Sequence, residues 1–232
     1  RDNYNVTIAP KQTFFGCIRF DLPKPEQIKI GSTIGIDIGQ KTTMSLSNGQ
    51  TISKDKDGHT YTSICKKLAR KKKGSKGFLR TNNHRSNYLH WCVKQINLKD
   101  IKQVNIEKIR NLRHKVRTSR RMQHWNYREL FDLLKTKFNE AGVQLVELSP
   151  TYTSQRCSRC GWVRKSNRKL KKFKCTSCLF EADADLNASI NLSLDLCPIS
   201  EKERLSKINK DGFYWLKKGK ELIVPCAHET NV

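Results

Sequence analysis

Alternating and continuous apolar runs predict strands at the start of the chain. Residues 4–10 (YNVTIAP) and 14–21 (FFGCIRFD) are rich in β-branched and aromatic residues and precede a proline-containing stretch, so we expect two strands of a separate unit. From Ser32, the segment STIGIDIG is a short apolar run, and apolar and polar residues alternate in TTMSLSNG. The segment QTISKDK follows an Asn48-Gly49 pair, which is typical of hairpin turns. The pattern predicts three successive strands, the first two tightly joined.

Helical periodicity replaces the strand pattern at 61–97, where apolar residues recur at helical spacing in two segments. Gly74 and Gly77 separate these segments, which indicates a helical hairpin with a basic turn. The elements expected beyond it are a strand at 101–106, a helix at about 125–141 that stops at Gly142, a strand at 143–148 and a last helix at about 183–194. This order is typical of an α/β fold with a mixed sheet.

The chain is strongly basic, with 46 Lys and Arg against 21 Asp and Glu and a formal net charge of +25. Positive side chains concentrate at 66–73, 108–121 and 164–174. One such run is usually a solvated face, but three in a folded chain favour a polyanionic partner. None has the apolar face of a membrane-surface helix, and no stretch approaches the roughly 20 apolar residues of a membrane span. No signal peptide is visible, and paired C-x-x-C cysteines are typical of metal binding in a reducing compartment, so we expect a cytosolic protein. Because its first residues already resemble a strand, we also expect a fragment of a longer chain.

Four of the nine cysteines form two C-x-x-C pairs, Cys157 with Cys160 and Cys175 with Cys178, separated by 14 residues. This is the spacing of a zinc ribbon, in which four thiolates hold the metal tetrahedrally. Gly161 fits the first knuckle, which needs positive φ beside a ligand. A catalytic zinc would need an open position for water, and four unrelated buried cysteines would not need this spacing. We therefore predict a structural zinc ion.

A basic loop joins the two cysteine pairs and has Trp162 and Phe173 beside it. Cations next to aromatic rings suit contacts to a nucleic-acid backbone and stacking on bases. Together with the other basic runs, this loop supplies the candidate nucleic-acid-binding residues, which are Lys71, Lys72, Arg113, Arg117, Arg120, Arg121, Trp162, Arg164, Arg168, Lys171 and Lys172.

Acidic residues stand out against this basic background. Asp37 lies in G-I-D-I-G at the end of an apolar strand, between glycines that would leave its carboxylate open to a large ligand, and Glu107 ends V-N-I-E. Asp183 and Asp185 open the last helix, where an acid can also be a plain N-cap. Three acids on two strand ends and one helix match the needs of phosphodiester cleavage by two Mg²⁺ ions.

These motifs resemble a known family, the RuvC-like nucleases of transposon-encoded TnpB proteins and miniature type V CRISPR effectors. The resemblance spans residues 32–194 and is most specific in S-P-T-Y-T-S-Q-R-C-S-R-C-G, F-K-C-T-S-C and A-D-L-N-A-S-I-N, the last of which is similar to the closing motif D-x-N-A-A-x-N. Departures are Leu179, where the family often has glycine, Ser189, where it often has alanine, and a long tail after Cys197.

The resemblance implies an RNase H-like (RuvC) fold with Asp37, Glu107 and Asp185 as the Mg²⁺-binding catalytic triad and Asp183 as a capping acid. It also implies that an arginine of the zinc module, Arg159, Arg164 or Arg168, lies near the scissile phosphate. The implied division is the end of a wedge-type β domain (1–30), a first RuvC part (31–151), an inserted zinc ribbon that binds target nucleic acid (152–182), a closing RuvC helix (183–196) and a tail (197–232).

The leading hypothesis is a Mg²⁺-dependent, RNA-guided DNA endonuclease with one active site, whose partners are a guide RNA and target DNA in the prokaryotic cytosol. Two alternatives remain open from the sequence. One is a catalytically inactive RNA-guided DNA-binding regulator, and the other is a DNA transposase or resolvase that uses the same three acids. The sequence leaves a monomer and a homodimer equally open.

Overall fold

A mixed five-stranded sheet forms the centre of the molecule, whose computed structural model describes residues 25–109, 120–199 and 212–219. The strands of this sheet are β1 (Ser32–Ile38), β2 (Met44–Leu46), β3 (Thr51–Ile52), β4 (Ile101–Glu107) and β5 (Gln144–Leu148). Their spatial order is β3-β2-β1-β4-β5. The first three strands are antiparallel neighbours, whereas β4 runs parallel to both β1 and β5. The predicted mixed α/β fold is thus confirmed.

Helices cover both faces of this sheet. The described helices are α1 (Tyr61–Ala69), α2 (Lys76–Lys94), α3 (Arg120–Gln123), α4 (Tyr127–Glu140) and α5 (Ala184–Ser193). Ile34, Ile36 and Ile38 of β1 share one hydrophobic core with α1, α2 and α4. Because side chains alternate along a strand, the opposite face of β1 carries Gly35 and Asp37, and α5 packs there. None of the helices in these ranges is long and apolar enough to cross a membrane.

The four-cysteine module lies between β5 and α5 and is built from short strands. These strands are β6 (Trp162–Val163), β7 (Arg168–Lys169), β8 (Lys172–Lys174), β9 (Glu181–Asp183) and, from the tail, β10 (Phe213–Tyr214). Strands β7, β8 and β9 form one antiparallel sheet, and β10 pairs with β6 in another. The module therefore includes a tail segment that the sequence pattern could not place.

Several predicted details were wrong. Gly77 lies inside the first turn of α2, which Ser75 caps by accepting a hydrogen bond from the Phe78 backbone, so only Gly74 stands between the two helices. The third strand is limited to β3, because the chain turns at Asp55. The strands predicted at 4–10 and 14–21 lie outside the described residues.

Candidate active site and four-cysteine module

Asp37 and Glu107 lie at the carboxyl ends of two neighbouring strands. β1 and β4 are parallel, and Ile36 pairs with Ile106, so each acid follows one residue later on its own strand. Since side chains alternate between the faces of a sheet, the two acids share the face opposite these isoleucines. Thr153 donates a hydrogen bond to Glu107 Oε1 and orients that carboxylate. The parallel pairing thus brings two of the three predicted acids together.

Helix α5 brings Asp185 to the same face. Gly35 of β1 lies directly under this helix, because a Cβ atom at this position would stand 2.6 Å from Leu192 Cβ. Asn105 of β4 also holds the helix, donating from Nδ2 to the Leu192 carbonyl at 2.7 Å. The first glycine of G-I-D-I-G is therefore needed for the close approach of α5. The glycine thus admits the backbone of α5 at close range, beside the Asp37 position.

Asp183 and Asp185 have different roles, and the capping role predicted for Asp183 is confirmed. Asp183 Oδ1 accepts hydrogen bonds from the backbone N–H groups of Asp185, at 2.9 Å, and of Leu186, at 3.1 Å. The Asp185 side chain is only 6% exposed and faces two cations of the β7–β8 hairpin. Arg168 Nη2 donates to Asp185 Oδ1 at 3.0 Å, and Lys171 Nζ donates to Oδ2.

Two asparagines of the A-D-L-N-A-S-I-N segment fasten α5 to the first cysteine knuckle. Asn187 donates to the Arg156 carbonyl at 2.8 Å and accepts from the Ser158 N–H at 3.0 Å. Asn191 donates to the carbonyls of Thr153, at 2.9 Å, and Arg156, at 2.7 Å, and accepts from Arg156 Nη1. Sequence reasoning missed these anchors, although their i, i+4 spacing in a helix of small residues was a usable signal.

The two acids on the sheet lie in surroundings that disfavour their ionised forms, chiefly because they are buried. Burial, reinforced by the charge of Glu107 and opposed by Arg168 and Lys171, raises the pKa of Asp37 to about 7. Burial also raises the pKa of Glu107, although the Thr153 hydrogen bond and the charge of Arg168 act to lower it. A divalent cation would relieve this repulsion, and carboxylate oxygens are the ligands that Mg²⁺ prefers. The donor set therefore fits a divalent metal.

The four cysteines predicted to bind zinc converge, and their sulfur atoms all lie within 4.8 Å of one another. Cys157 Sγ is 3.7 Å from Cys178 Sγ, and Cys160 Sγ is 3.6 Å from Cys175 Sγ. Zn–S bonds of about 2.3 Å place tetrahedral thiolates about 3.8 Å apart, whereas a disulfide needs about 2.05 Å. The geometry fits four thiolates around one zinc ion. Across the described ranges, the three acids do not form so tight a group.

The second knuckle places Leu179 in the left-handed region, with φ of 60°, where the first knuckle has Gly161 with φ of 85°. Leu179 is 68% exposed, so its side chain contributes little burial to offset the cost of this conformation. The sequence departure noted at this position therefore imposes local strain.

Leu179→Gly is expected to raise the free energy of unfolding by about 1 kcal/mol, because glycine removes the steric cost of positive φ. Urea unfolding of the zinc-loaded protein measures the change. Leu79→Gly is a matched control, because Leu79 is also exposed but lies in helix α2. There the same substitution is expected to destabilise by about 1 kcal/mol. A loss of stability in both variants would contradict the prediction.

The tail is an integral part of the cysteine module. The Trp215 N–H donates a backbone hydrogen bond to the Gly161 carbonyl at 2.9 Å. Arg156 Nε donates to the Trp215 carbonyl at 2.8 Å, and the rings of Trp162 and Tyr214 lie 4.8 Å apart. Strand β10 and Trp215 thus cover the first knuckle.

The predicted nucleic-acid-binding residues occupy different environments. Lys71, Lys72, Arg164 and Lys172 are exposed, whereas Arg168 and Lys171 turn inward to Asp185. Arg113, Arg117 and the side chains of Arg120 and Arg121 lie outside the described residues.

The two aromatic residues beside the basic loop serve the module itself. Trp162 Nε1 donates to Thr176 Oγ1 at 3.0 Å, and the indole packs against Tyr214. Phe173 is 1% exposed and forms the core of the module with Cys157 and Cys175. The expectation that Phe173 could stack on bases was wrong, because its ring is buried.

Comparison with known proteins finds relatives that are named as nucleases. Residues 127–192 match a family profile described as "Cas12f1-like, TNB domain". The CRISPR-associated endodeoxyribonuclease Cas12f1 of Sulfoacidibacillus thermotolerans is 32% identical over 150 residues, which cover 64% of this chain and 35% of that protein. InsQ of Escherichia coli (strain K12), provisionally named an RNA-guided DNA endonuclease, is 28% identical over 193 residues, which cover 69% of this chain and 48% of InsQ. The chain is thus similar to Cas12f1 and InsQ over these residues.

A solved structure agrees with this relationship at the level of the fold. The cryo-EM structure of a Cas12f1–sgRNA–target DNA complex contains a chain that superposes with a TM-score of 0.54 and 23% identity, covering 75% of this chain and 51% of that one. The chain thus spans about half of the Cas12f1 chain in that structure and about half or less of the relatives above.

Proposed function

We propose that this chain is the nuclease portion of an RNA-guided DNA endonuclease with an RNase H-like (RuvC) fold, cutting DNA strands in one two-Mg²⁺ site. The observation that carries the proposal is the convergence of Asp37 and Glu107, on adjacent parallel strands, with Asp185 of α5 on one face of the sheet. The names of the Cas12f1 and InsQ relatives support both the DNA substrate and the RNA guide.

In this mechanism, Asp37, Glu107 and Asp185 would hold the Mg²⁺ ions, and the bound ions would supply activation of water and stabilisation of the leaving oxygen. Thr153 holds the Glu107 carboxylate in orientation through its hydrogen bond. Arg168 contributes a fixed positive charge whose effect reaches all three acids, as the pKa values of Asp37 and Glu107 and the ion pair with Asp185 indicate. A guanidinium in this position suits the negative charge that develops on a phosphate. Of the three arginines considered, Arg168 is therefore the one we assign to the scissile phosphate.

The remaining parts of the chain have roles in the same proposal. Residues 152–182 form an inserted zinc ribbon that contacts target nucleic acid through exposed cations such as Arg164 and Lys172. Residues 31–151 and 183–196 form the RuvC-like nuclease, residues 1–30 the end of a wedge-type domain and residues 197–232 a tail. A guide RNA and target DNA in the prokaryotic cytosol complete the proposed system.

Purification of the natural full-length protein from its host, followed by sequencing of bound RNA, tests this function. We expect one noncoding RNA to copurify and to direct cleavage of matching double-stranded DNA in Mg²⁺, with no cleavage in EDTA. RNA-guided binding without cleavage would favour the inactive regulator. Strand-transfer or junction-resolution products would favour the transposase or resolvase.

A further inference from the structure

Lys171 joins three separate elements at the candidate active site. Its Nζ donates to Asp185 Oδ2 of α5 and, at 2.8 Å, to Thr42 Oγ1 in the loop between β1 and β2. The Lys171 carbonyl accepts the Ala184 N–H at 2.9 Å, directly before Asp185. Lys171 of the cysteine module thus contacts both the β1–β2 loop of the sheet, through Thr42, and helix α5, through the Asp185 carboxylate.

The Lys171 ammonium is surrounded by oxygen ligands of the kind that bind cations. Its partners are the oxygen atoms of a carboxylate and a hydroxyl. The charges of Asp183 and Asp37 favour the ammonium, whereas burial and the charges of Arg168 and Lys41 oppose it. An ammonium is a compact point charge with three hydrogen-bond donors, so it can occupy the place beside the Asp185 oxygen that a bound metal ion would occupy. Arg168 differs, because its planar guanidinium also donates from Nε to the Leu170 carbonyl of its own hairpin, at 3.2 Å.

Lys171 is held at this position by the backbone as well as by charge. It follows Leu170, which has φ of 56° and is 87% exposed at the tip of the β7–β8 hairpin. The hairpin turn thus exposes the leucine and directs the lysine inward. The Lys171 side chain remains 36% exposed, so it can leave Asp185 without unfolding the module.

We propose that Lys171 is a resident cation that occupies one side of Asp185 before metal binds, and that a divalent ion must displace its ammonium to use that carboxylate. This inference rests on the proposed function, since it concerns the same three acids. Lys171 is then a positioning residue: it neutralises Asp185 and holds the zinc module against the sheet in the metal-free protein. Metal loading releases the ammonium, which becomes available to a DNA phosphate.

Mn²⁺ titrated into the zinc-loaded protein without nucleic acid tests the proposal, with free Mn²⁺ measured by electron paramagnetic resonance. Lys171→Met keeps the length of the side chain and removes its charge. We expect it to lower the Mn²⁺ dissociation constant about tenfold, because a positive charge within a few ångströms of the site is lost. Lys171→Arg is expected to remain near wild type. Unchanged or weaker Mn²⁺ binding by Lys171→Met would overturn the proposal.

Two further variants make the result specific. Lys172→Met is the matched control, because Lys172 is the exposed neighbour on β8, and its Mn²⁺ affinity is expected to stay within twofold of wild type. Thr42→Val removes only the second anchor of the ammonium, and we expect a smaller gain in affinity; no gain would argue against the bridge.

Asp185→Asn separates this inference from the proposed function. If Asp185→Asn binds Mn²⁺ as well as wild type does, the metal site itself is misassigned. If it loses Mn²⁺ while Lys171→Met is unchanged, only the role of Lys171 fails.

Discussion

Asp37→Asn and Asp185→Asn are each expected to reduce DNA cleavage by about 1,000-fold or more, because each removes a carboxylate ligand of the metal ions that stabilise the transition state. Cleavage of guide-matched DNA by the full-length complex under single-turnover conditions measures the effect. DNA binding is expected to persist, since both acids lie at the reaction centre and carry negative charge. Wild-type cleavage by both variants would contradict the assignment.

Folding and catalysis are separable in this experiment. Burial and the Glu107 charge disfavour the ionised form of Asp37, so Asp37→Asn is expected to leave the metal-free protein as stable as wild type or more so. Asp183→Asn is the matched control, because asparagine caps a helix as well as aspartate does. It changes an acid two residues from Asp185, yet near-wild-type cleavage is expected.

Cys157→Ser and Cys175→Ser are expected to lose zinc and, with it, most DNA cleavage. Structural zinc contributes about 10–16 kcal/mol to the folding of small modules, far more than the remaining core of this module can supply. The first knuckle holds α5 through Asn187 and Asn191, so its unfolding frees Asp185 from Asp37 and Glu107. Zinc content by atomic absorption and the cleavage rate are to be measured on the same samples.

Cys197→Ser is the control for this substitution, because Cys197 lies outside the four-sulfur group while its backbone still receives the Trp215 indole N–H. It is expected to retain zinc and cleavage. Full activity in a Cys157→Ser protein shown to be free of zinc would mean that the module does not position Asp185 and is an appendage for binding.

Local patterns in the sequence were sufficient to predict most of the elements and the zinc ligands. Strands such as β1 and β4 are apolar runs whose burial follows from composition. Helix α4 ends at Glu140, and Gly142 just beyond it adopts a positive φ of 68° without strain. The positions of the cysteines are also predictable locally, because the two-residue gap in each C-x-x-C pair places two candidate ligands on one turn. These features depend on neighbours in sequence and so are visible without the fold.

The acids could be named from the sequence, but their convergence depends on contacts between distant residues. Parallel pairing of β1 with β4 and the absence of a side chain at Gly35 bring Asp37, Glu107 and Asp185 to one face. Neither contact leaves a periodic signal, because each joins elements far apart along the chain.

The sequence by itself thus determined the mixed α/β class, the four cysteines that converge and the acids that are candidates for catalysis. Only the tertiary structure showed that Arg168 and Lys171 contact Asp185 and that part of the tail joins the cysteine module as β10. The physical reason is sequence separation. Burial and metal-ligand spacing follow from residues close together in the sequence. The partner of a charge or of an edge strand depends on which distant parts of the chain meet when it folds.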